Sequence, residues 1–182
     1  MLLRLDELNN LRAEIIRNKG NSEKIQDLIL DYLILAFADG VTDVQNQLGG
    51  SVDFDVDRME EVLYASIDGK TFDERVDEWI YLEDYDAIIR LAENERERVY
   101  NTSAFDTAEK LGATTKTWHT MEDNRVRMSH FYLDGVTKPL NEEFHTIWGN
   151  SGLHPGGFNS ADDDINCRCW LTYSIDSARE ST

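Results

Sequence analysis

The sequence predicts an α+β fold, with an N-terminal helical region followed by a small α+β domain built on a short antiparallel sheet. Three observations predict it. Apolar residues recur at helical spacing through the first half. The second half opens on one long helical stretch, then switches to short β-rich runs separated by turn residues. The charge is unevenly divided, with 21 acidic and 8 basic residues through Ile89 but 15 and 10 after it, which marks the halves as different units. The expected division is an acidic helical region over 1–83, a compact unit over 84–176 and a tail over 177–182.

In chain order, Leu2, Leu5, Leu8 and Leu11 recur every three residues, and Ile15 and Ile16 extend the stripe until Asn18-Lys19-Gly20-Asn21 stops it. Ser22-Glu23 opens a second helix through Ile25, Leu28, Ile29, Tyr32, Leu33 and Leu35 to Ala38, with Gly40 just beyond its end. Gly49-Gly50 is a turn, and Val52 to Val56 alternates as a short strand or an extended linker. Asp57 caps a third helix through Met59, Val62, Leu63 and Ile67, ending at Asp68-Gly69. Thr71 caps a fourth, with Phe72, Val76, Trp79 and Ile80 inward. These stripes read as core packing, not as a cofactor box.

A long helix is expected from about Asp84 to Leu111, with Leu91, Val99, Ala104, Phe105 and Ala108 apolar. Its mixed-charge face, Arg90, Glu93 and Glu95 to Arg98, reads as solvated. Gly112 ends it. Thr114 to Thr120 has β character around Trp118, Asp134-Gly135 is a turn, Leu153 to Asp164 is a surface loop, and Trp170 to Ile175 is the closing strand.

Composition narrows the function classes. A net charge of -18 on 182 residues favours solubility and opposes direct binding to a nucleic-acid backbone, which needs clustered Lys and Arg. Met1 to Leu5 runs straight into Asp6 and Glu7, unlike a signal peptide, and no stretch is apolar enough for a membrane span. The expectation is a soluble protein made in the cytoplasm. Two cysteines one residue apart, Cys167 and Cys169, are no secreted disulfide framework.

Any chemistry sits in the second unit. Cysteines two apart on a strand point to one face, and two thiolates with an imidazole, His130, suit zinc. A structural zinc site needs a fourth group, for which Asp123, His119 and His154 are the candidates. The plainer alternative is a pair of buried cysteines packing as small hydrophobes beside a hydrogen-bonded histidine.

The same segment resembles a known family. Lys116-Thr117-Trp118, Asp123 and Arg125, Ser129-His130, Leu133-Asp134-Gly135, Phe144, Leu153 with Pro155-Gly156, and Asn166-Cys167-Arg168-Cys169 follow the order of motifs in the C-terminal domain of Mu F-like phage minor head proteins. The preceding helix, with Arg90, Glu93, Arg96 and Asn101, is similar to that family's charged helix, so the resemblance spans roughly Asp84 to Ile175. It implies a minor capsid protein packaged inside the virion near the portal, assembled in the host cytoplasm, acting in head morphogenesis or DNA ejection and not as an enzyme. It implies portal or other head proteins as partners; charge and composition add the expectation of no direct nucleic-acid contact and no membrane, and no small-molecule substrate is expected.

The resemblance also strengthens a structural zinc site of His130, Cys167, Cys169 and Asp123. Asp123 is expected to cap the short helix carrying Arg125 and Arg127 and to orient His130. Arg168 is expected to pair with Glu93 or Glu97, and Trp118 and Trp170 to lid the site. Leu2, Leu5 and Leu8 are the expected docking edge. Two other classes stand beside this reading: a metal-dependent hydrolase or toxin-like enzyme, and an acidic DNA mimic. The sequence contains no nucleophile elbow, phosphate loop or His-Glu-x-x-His helix.

Overall fold

The computed structural model describes residues 2–67 and 69–175, with side chains described from residue 6 except residue 68. The 177–182 tail and Asp68 lie outside the described residues. Five helices come first: α1 (Leu2–Arg17), α2 (Ser22–Leu48), α3 (Val56–Leu63), α4 (Phe72–Tyr81) and α5 (Tyr85–Lys110). Strand β1 (Thr115–His119), helix α6 (Met128–Phe131), strands β2 (Thr137–Pro139), β3 (Phe144–His145) and β4 (Ser151–Gly152), helix α7 (Ala161–Asp164) and strand β5 (Trp170–Ser174) follow. The expected α+β class is what the chain adopts.

Local chemistry sets most boundaries. Asn21 caps α2 by accepting from the Lys24 N–H. Thr71 and Glu74 form a reciprocal capping box at α4. Asp84 caps α5 through the Ala87 N–H, and Gly112 at φ +77° turns the chain out of the helix. Two expectations shift. Asp55, not Asp57, caps α3, and that helix stops at Leu63, because Ile67 pairs with Lys70 in a tight reversal. For Val52 to Asp55 the extended linker is the alternative adopted, with Phe54 edge-on to Phe37 at 5.6 Å.

The larger correction concerns α2. It runs through Gly40 and ends ten residues beyond the expected Ala38, at Leu48, where Gly49 adopts φ +74° as its cap. Gly40 is needed for contact, not termination. It lies where α2 crosses α5, and a Cβ there would stand 2.1 Å from Ser103 Oγ and 2.5 Å from the Tyr100 carbonyl oxygen.

The α2–α5 pair is the spine, and two apolar clusters share it. The first joins Ile25, Ile29, Leu33 and Phe37 of α2 to Ile88, Ile89, Ala92 and Val99 of α5, closed by residues of α1, α3 and α4. The second joins Val44 of α2 and Ala104, Phe105 and Ala108 of α5 to Trp118, Phe144, Phe158 and the closing strand. Each fully buried large side chain contributes roughly 1.5–3 kcal/mol against exposure. The mixed-charge face of α5 is not solvated throughout, because α4 and α2 cover it. Glu95 and Arg96 are buried. Glu95 accepts from Arg75 and Arg98, both at 2.8 Å, and Arg96 donates to Asp39 at 2.8 Å.

In the second unit β1 is central in an antiparallel sheet of order β2-β1-β5, with Trp118 opposite Leu171. β3 and β4 form a separate ribbon. Lys116 points inward from β1: it is fully buried, donates to the Leu153 carbonyl at 2.8 Å, and sits 5.0 and 5.1 Å from the Phe105 and Phe144 rings. Burial, with Lys138 nearby, pulls its pKa down to about 8.

Candidate metal centre

His130, Cys167 and Cys169 meet in the interior, and all three are buried. His130 rides on α6, which the turn Asp134-Gly135 ties back to β1. There Asp134 Oδ1 accepts from the Thr120 N–H at 2.6 Å and hydroxyl at 3.0 Å, and Gly135 takes φ +72°. The cysteines come from the segment just before β5, not from the strand itself. Asn166 adopts φ +58° there, a conformation asparagine tolerates better than most side chains. Its backbone N–H donates to Asn94 Oδ1 at 2.9 Å, and the Asn101 amide donates to the Cys169 carbonyl at 3.2 Å. Two asparagines of α5 therefore brace the Asn166-Cys167-Arg168-Cys169 segment. Polar residues on a long helix, spaced seven apart, were the signal in the sequence that could have pointed to this role.

Cys167 Sγ and Cys169 Sγ each lie 3.5 Å from His130 Nδ1. A tetrahedral zinc ion with bonds of about 2.3 Å to sulfur and 2.0–2.1 Å to nitrogen requires a sulfur–nitrogen edge of about 3.5 Å. The donor set therefore fits such an ion in element type and in separation. Both thiols are free. The pair holds its protons unequally. Hydrogen bonding to Cys169, together with burial, pushes the Cys167 thiol well up. The same bond, aided by the neighbouring Trp118 indole and by Arg127 and Arg168, pulls Cys169 down against its burial. Trp118 meets His130 edge-on at 5.3 Å, and Phe158 lies 5.6 Å from the imidazole. The site borders a cavity of about 10 Å³ whose wall includes Met121, Val126 and Asn166.

The other candidates lie apart from this cluster. Asp123 grips Arg168 with both carboxylate oxygens, at 2.7 and 2.9 Å, which holds its pKa down to about 2. Arg168 thus pairs with Asp123 instead of Glu93 or Glu97: it projects away from the two cysteines, to where the loop after β1 passes. Asp123 also accepts from the Arg125 N–H, but it does not cap α6, which begins at Met128 with Arg127 in the N-cap position. His119 hydrogen-bonds Thr172 at 2.7 Å and stacks on Trp170, so Trp170 covers His119 and only Trp118 adjoins the cluster. His154 faces the Pro155 carbonyl and packs on Phe105. Of the expected docking edge, Leu8 is half-buried against the helical core, and the side chains of Leu2 and Leu5 lie outside the described residues.

The carboxylate that does face His130 is Asp163, in the segment expected to be a surface loop. Its Oδ1 lies 3.4 Å from His130 Nε2. The stretch is not all surface: Phe158 and Asp163 are buried, because α7 folds the loop back onto α6. Burial alone would raise the Asp163 carboxyl, but hydrogen bonds from Asn150 and Ser129 bring it below its ordinary value.

The model of the Phage Mu protein F like family matches residues 61–172, which include every member of this cluster. The chain is 42% identical over 74 residues to minor head protein GP7 of Bacillus phage SPP1, a match covering 41% of this chain and 24% of that protein. It is 31% identical over 122 residues to the NAD(+)--arginine ADP-ribosyltransferase EFV of Enterococcus faecalis, covering 63% of this chain and 25% of that one. The chain therefore spans about a quarter of the length of these curated relatives. No solved structure matches. With more than half its residues inside the family match, the chain belongs to the Phage Mu protein F like family.

Proposed function

We propose that this chain is a minor component of the phage head, acting in head assembly or DNA ejection through protein contacts and not as an enzyme. The observation that carries this reading is the family match over residues 61–172, joined to 42% identity with a minor head protein. The virion interior is then its place, and the portal or another head protein its partner. An acidic chain beside packaged DNA is repelled by it and needs a protein anchor. The unit over 84–176 serves as the Mu F-like domain, and 1–83 as the partner-facing region.

The docking edge is assigned to Leu2, Leu5 and Leu8. Leu11 and Ile15 of the same helix belong to the core, so excising the helix would open that core. The sharper test is L2E/L5E in the full chain. It is expected to fold as wild type, by circular dichroism, and to be lost from procapsids purified from infected cells. Incorporation at the normal level would move the dock elsewhere. The exposed apolar side chains Met128, Phe131, Tyr132, Ile147, Trp148 and Ile165 would be next in line.

We also infer that His130, Cys167 and Cys169 hold a structural zinc ion, supported by the donor types and by the two 3.5 Å separations. A fourth position falls to a solvent molecule, for which the adjoining cavity has about the room of one water. Zinc bound there would cross-link α6 to the segment leading into β5.

The likeness to an ADP-ribosyltransferase favours a second reading, in which the chain carries an NAD-dependent activity. Incubation with NAD and arginine-containing protein separates the two. No turnover is expected, and zinc-independent consumption of NAD would establish the second.

A further inference from the structure

Asp163 is a fully buried carboxylate set behind His130, on the side away from the cysteines. Its oxygens are surrounded by donors. Oδ1 accepts from Ser129 Oγ at 2.8 Å, while Oδ2 accepts from Asn150 Nδ2 at 2.7 Å and Thr146 Oγ1 at 3.3 Å. His130 Nε2 is buried, has no hydrogen-bond partner among the described residues, and has this carboxylate 3.4 Å away. The ring's other nitrogen, Nδ1, is the one that faces both sulfurs.

A neutral imidazole carries one proton, and the nitrogen without it is the only one that can bind a metal. An ionised carboxylate accepts hydrogen bonds and offers none. The proton is therefore favoured on Nε2, beside Asp163, which leaves the Nδ1 lone pair directed at Cys167 and Cys169. We propose that Asp163 is the positioning residue of the metal centre: it fixes His130 in the Nε2–H tautomer and so presents Nδ1 as the ligand atom. This rests on the zinc reading given above. The neighbours of Asp163 favour it over a merely structural carboxylate. Three neutral donors hold it in place and, among the described residues, no arginine or lysine side chain bonds to it, so its charge is left for the His130 ring N–H. Fixing a ligating histidine by an outer carboxylate is a recurrent device in metal sites.

Two measurements test it. In metal-free wild-type protein near pH 8, the ring nitrogen shifts of His130 are expected to report a proton on Nε2. A proton on Nδ1 in the wild type would overturn the proposal, and this measurement needs no variant. In D163N, which keeps the volume, zinc affinity measured against a chromophoric chelator is expected to fall about 10- to 100-fold. The ring shifts are expected to move toward a tautomer mixture. A folded D163N with wild-type zinc affinity and wild-type ring shifts would equally overturn it. If wild-type protein binds no zinc, the metal reading fails, and the tautomer in the metal-free protein still decides what Asp163 does to His130.

Discussion

Raising the pH from 7 toward 10 should add stability to the folded chain through Lys116. The residue is fully buried between Phe105 and Phe144, with the Leu153 carbonyl as its hydrogen-bond acceptor. Its pKa falls from the ordinary 10.5 to about 8 on folding, so the unfolded chain holds the proton more tightly. Between those two values the unfolded state binds more protons than the folded one, and stability rises with pH. A drop from 10.5 to about 8, at about 1.4 kcal/mol per pKa unit, is worth on the order of 3 kcal/mol across the window. Other groups oppose it: Tyr32, pushed up to about 12 by burial, and the raised Cys167 and Tyr173 ionise first in the unfolded chain and lower stability there. The signal is therefore the difference between wild type and K116M, in which those groups cancel. Urea unfolding at pH 7, 8, 9 and 10 should show wild type gaining on K116M progressively above pH 8, by about 2–3 kcal/mol at pH 10. A difference that stays constant within about 0.5 kcal/mol from pH 7 to 10 would refute the assignment of a charged, desolvated Lys116.

Three further outcomes follow from named contacts. G40A places a methyl group against Ser103 Oγ and the Tyr100 carbonyl, so it should cost about 1–3 kcal/mol in urea unfolding despite the better helix propensity of alanine. An unchanged or higher midpoint would mean that the α2–α5 crossing yields easily. D123N should keep zinc stoichiometry at the wild-type level by elemental analysis, because the Asp123 carboxylate is committed to Arg168, and loss of the ion would restore Asp123 to the ligand set. The chain should show no salt-sensitive retardation of duplex DNA at low micromolar concentration, since its net charge of -18 offers no cation cluster to release counterions.

The parts of the fold legible in the sequence are those that local chemistry decides. Thr71, Asp84 and Gly112 mark helix ends because a side-chain oxygen or a positive φ acts within a few residues of its partner. Trp118 and the Trp170–Ser174 strand alternate as a half-buried sheet demands. What escaped is decided by distant neighbours. Gly40 looks like a stop until α5, some sixty residues on, is laid across it. Glu95 and Arg96 sit in a run of charges that reads as solvent-facing, yet α4 and α2 bring Arg75 and Asp39 to them. Asp163 lies in a run of three aspartates beside glycine, asparagine and serine, a composition that signals a surface loop. Only the return of that loop onto α6 singles one aspartate out. His130, Cys167 and Cys169 are identifiable by residue type and motif, whereas the motif points to Asp123 as the acid beside the histidine and the fold sets Asp163 there instead.

The short elements around the centre lead to the last prediction. α6 and α7 have four residues each, and β3 and β4 two each. Helices of this length do not hold themselves together in water, and neither does an isolated two-stranded ribbon. Their order must come from tertiary ties, and the ties converge on two points. One is the Cys167–His130–Cys169 cluster; the other is Asp163, which reaches Ser129 beside it, Thr146 and Asn150 in the β3–β4 ribbon turn. Arg127 adds bonds to the Asp162 and Ile165 carbonyls. The first apolar cluster on α2 and α5 contains none of the three ligand residues, whereas the second includes Cys167 and Cys169. Removing zinc with a chelator should therefore loosen one region only. Hydrogen exchange is expected to accelerate over residues 126–133 and 161–169, while the α2 and α5 residues of the first cluster, from Ile25 to Phe37 and from Ile88 to Val99, keep their protection. Exchange unchanged everywhere would mean that the thiols and the imidazole hold the segment without an ion. Acceleration spread evenly over both halves would mean that the ion supports the whole fold, contrary to a core divided along the α2–α5 spine.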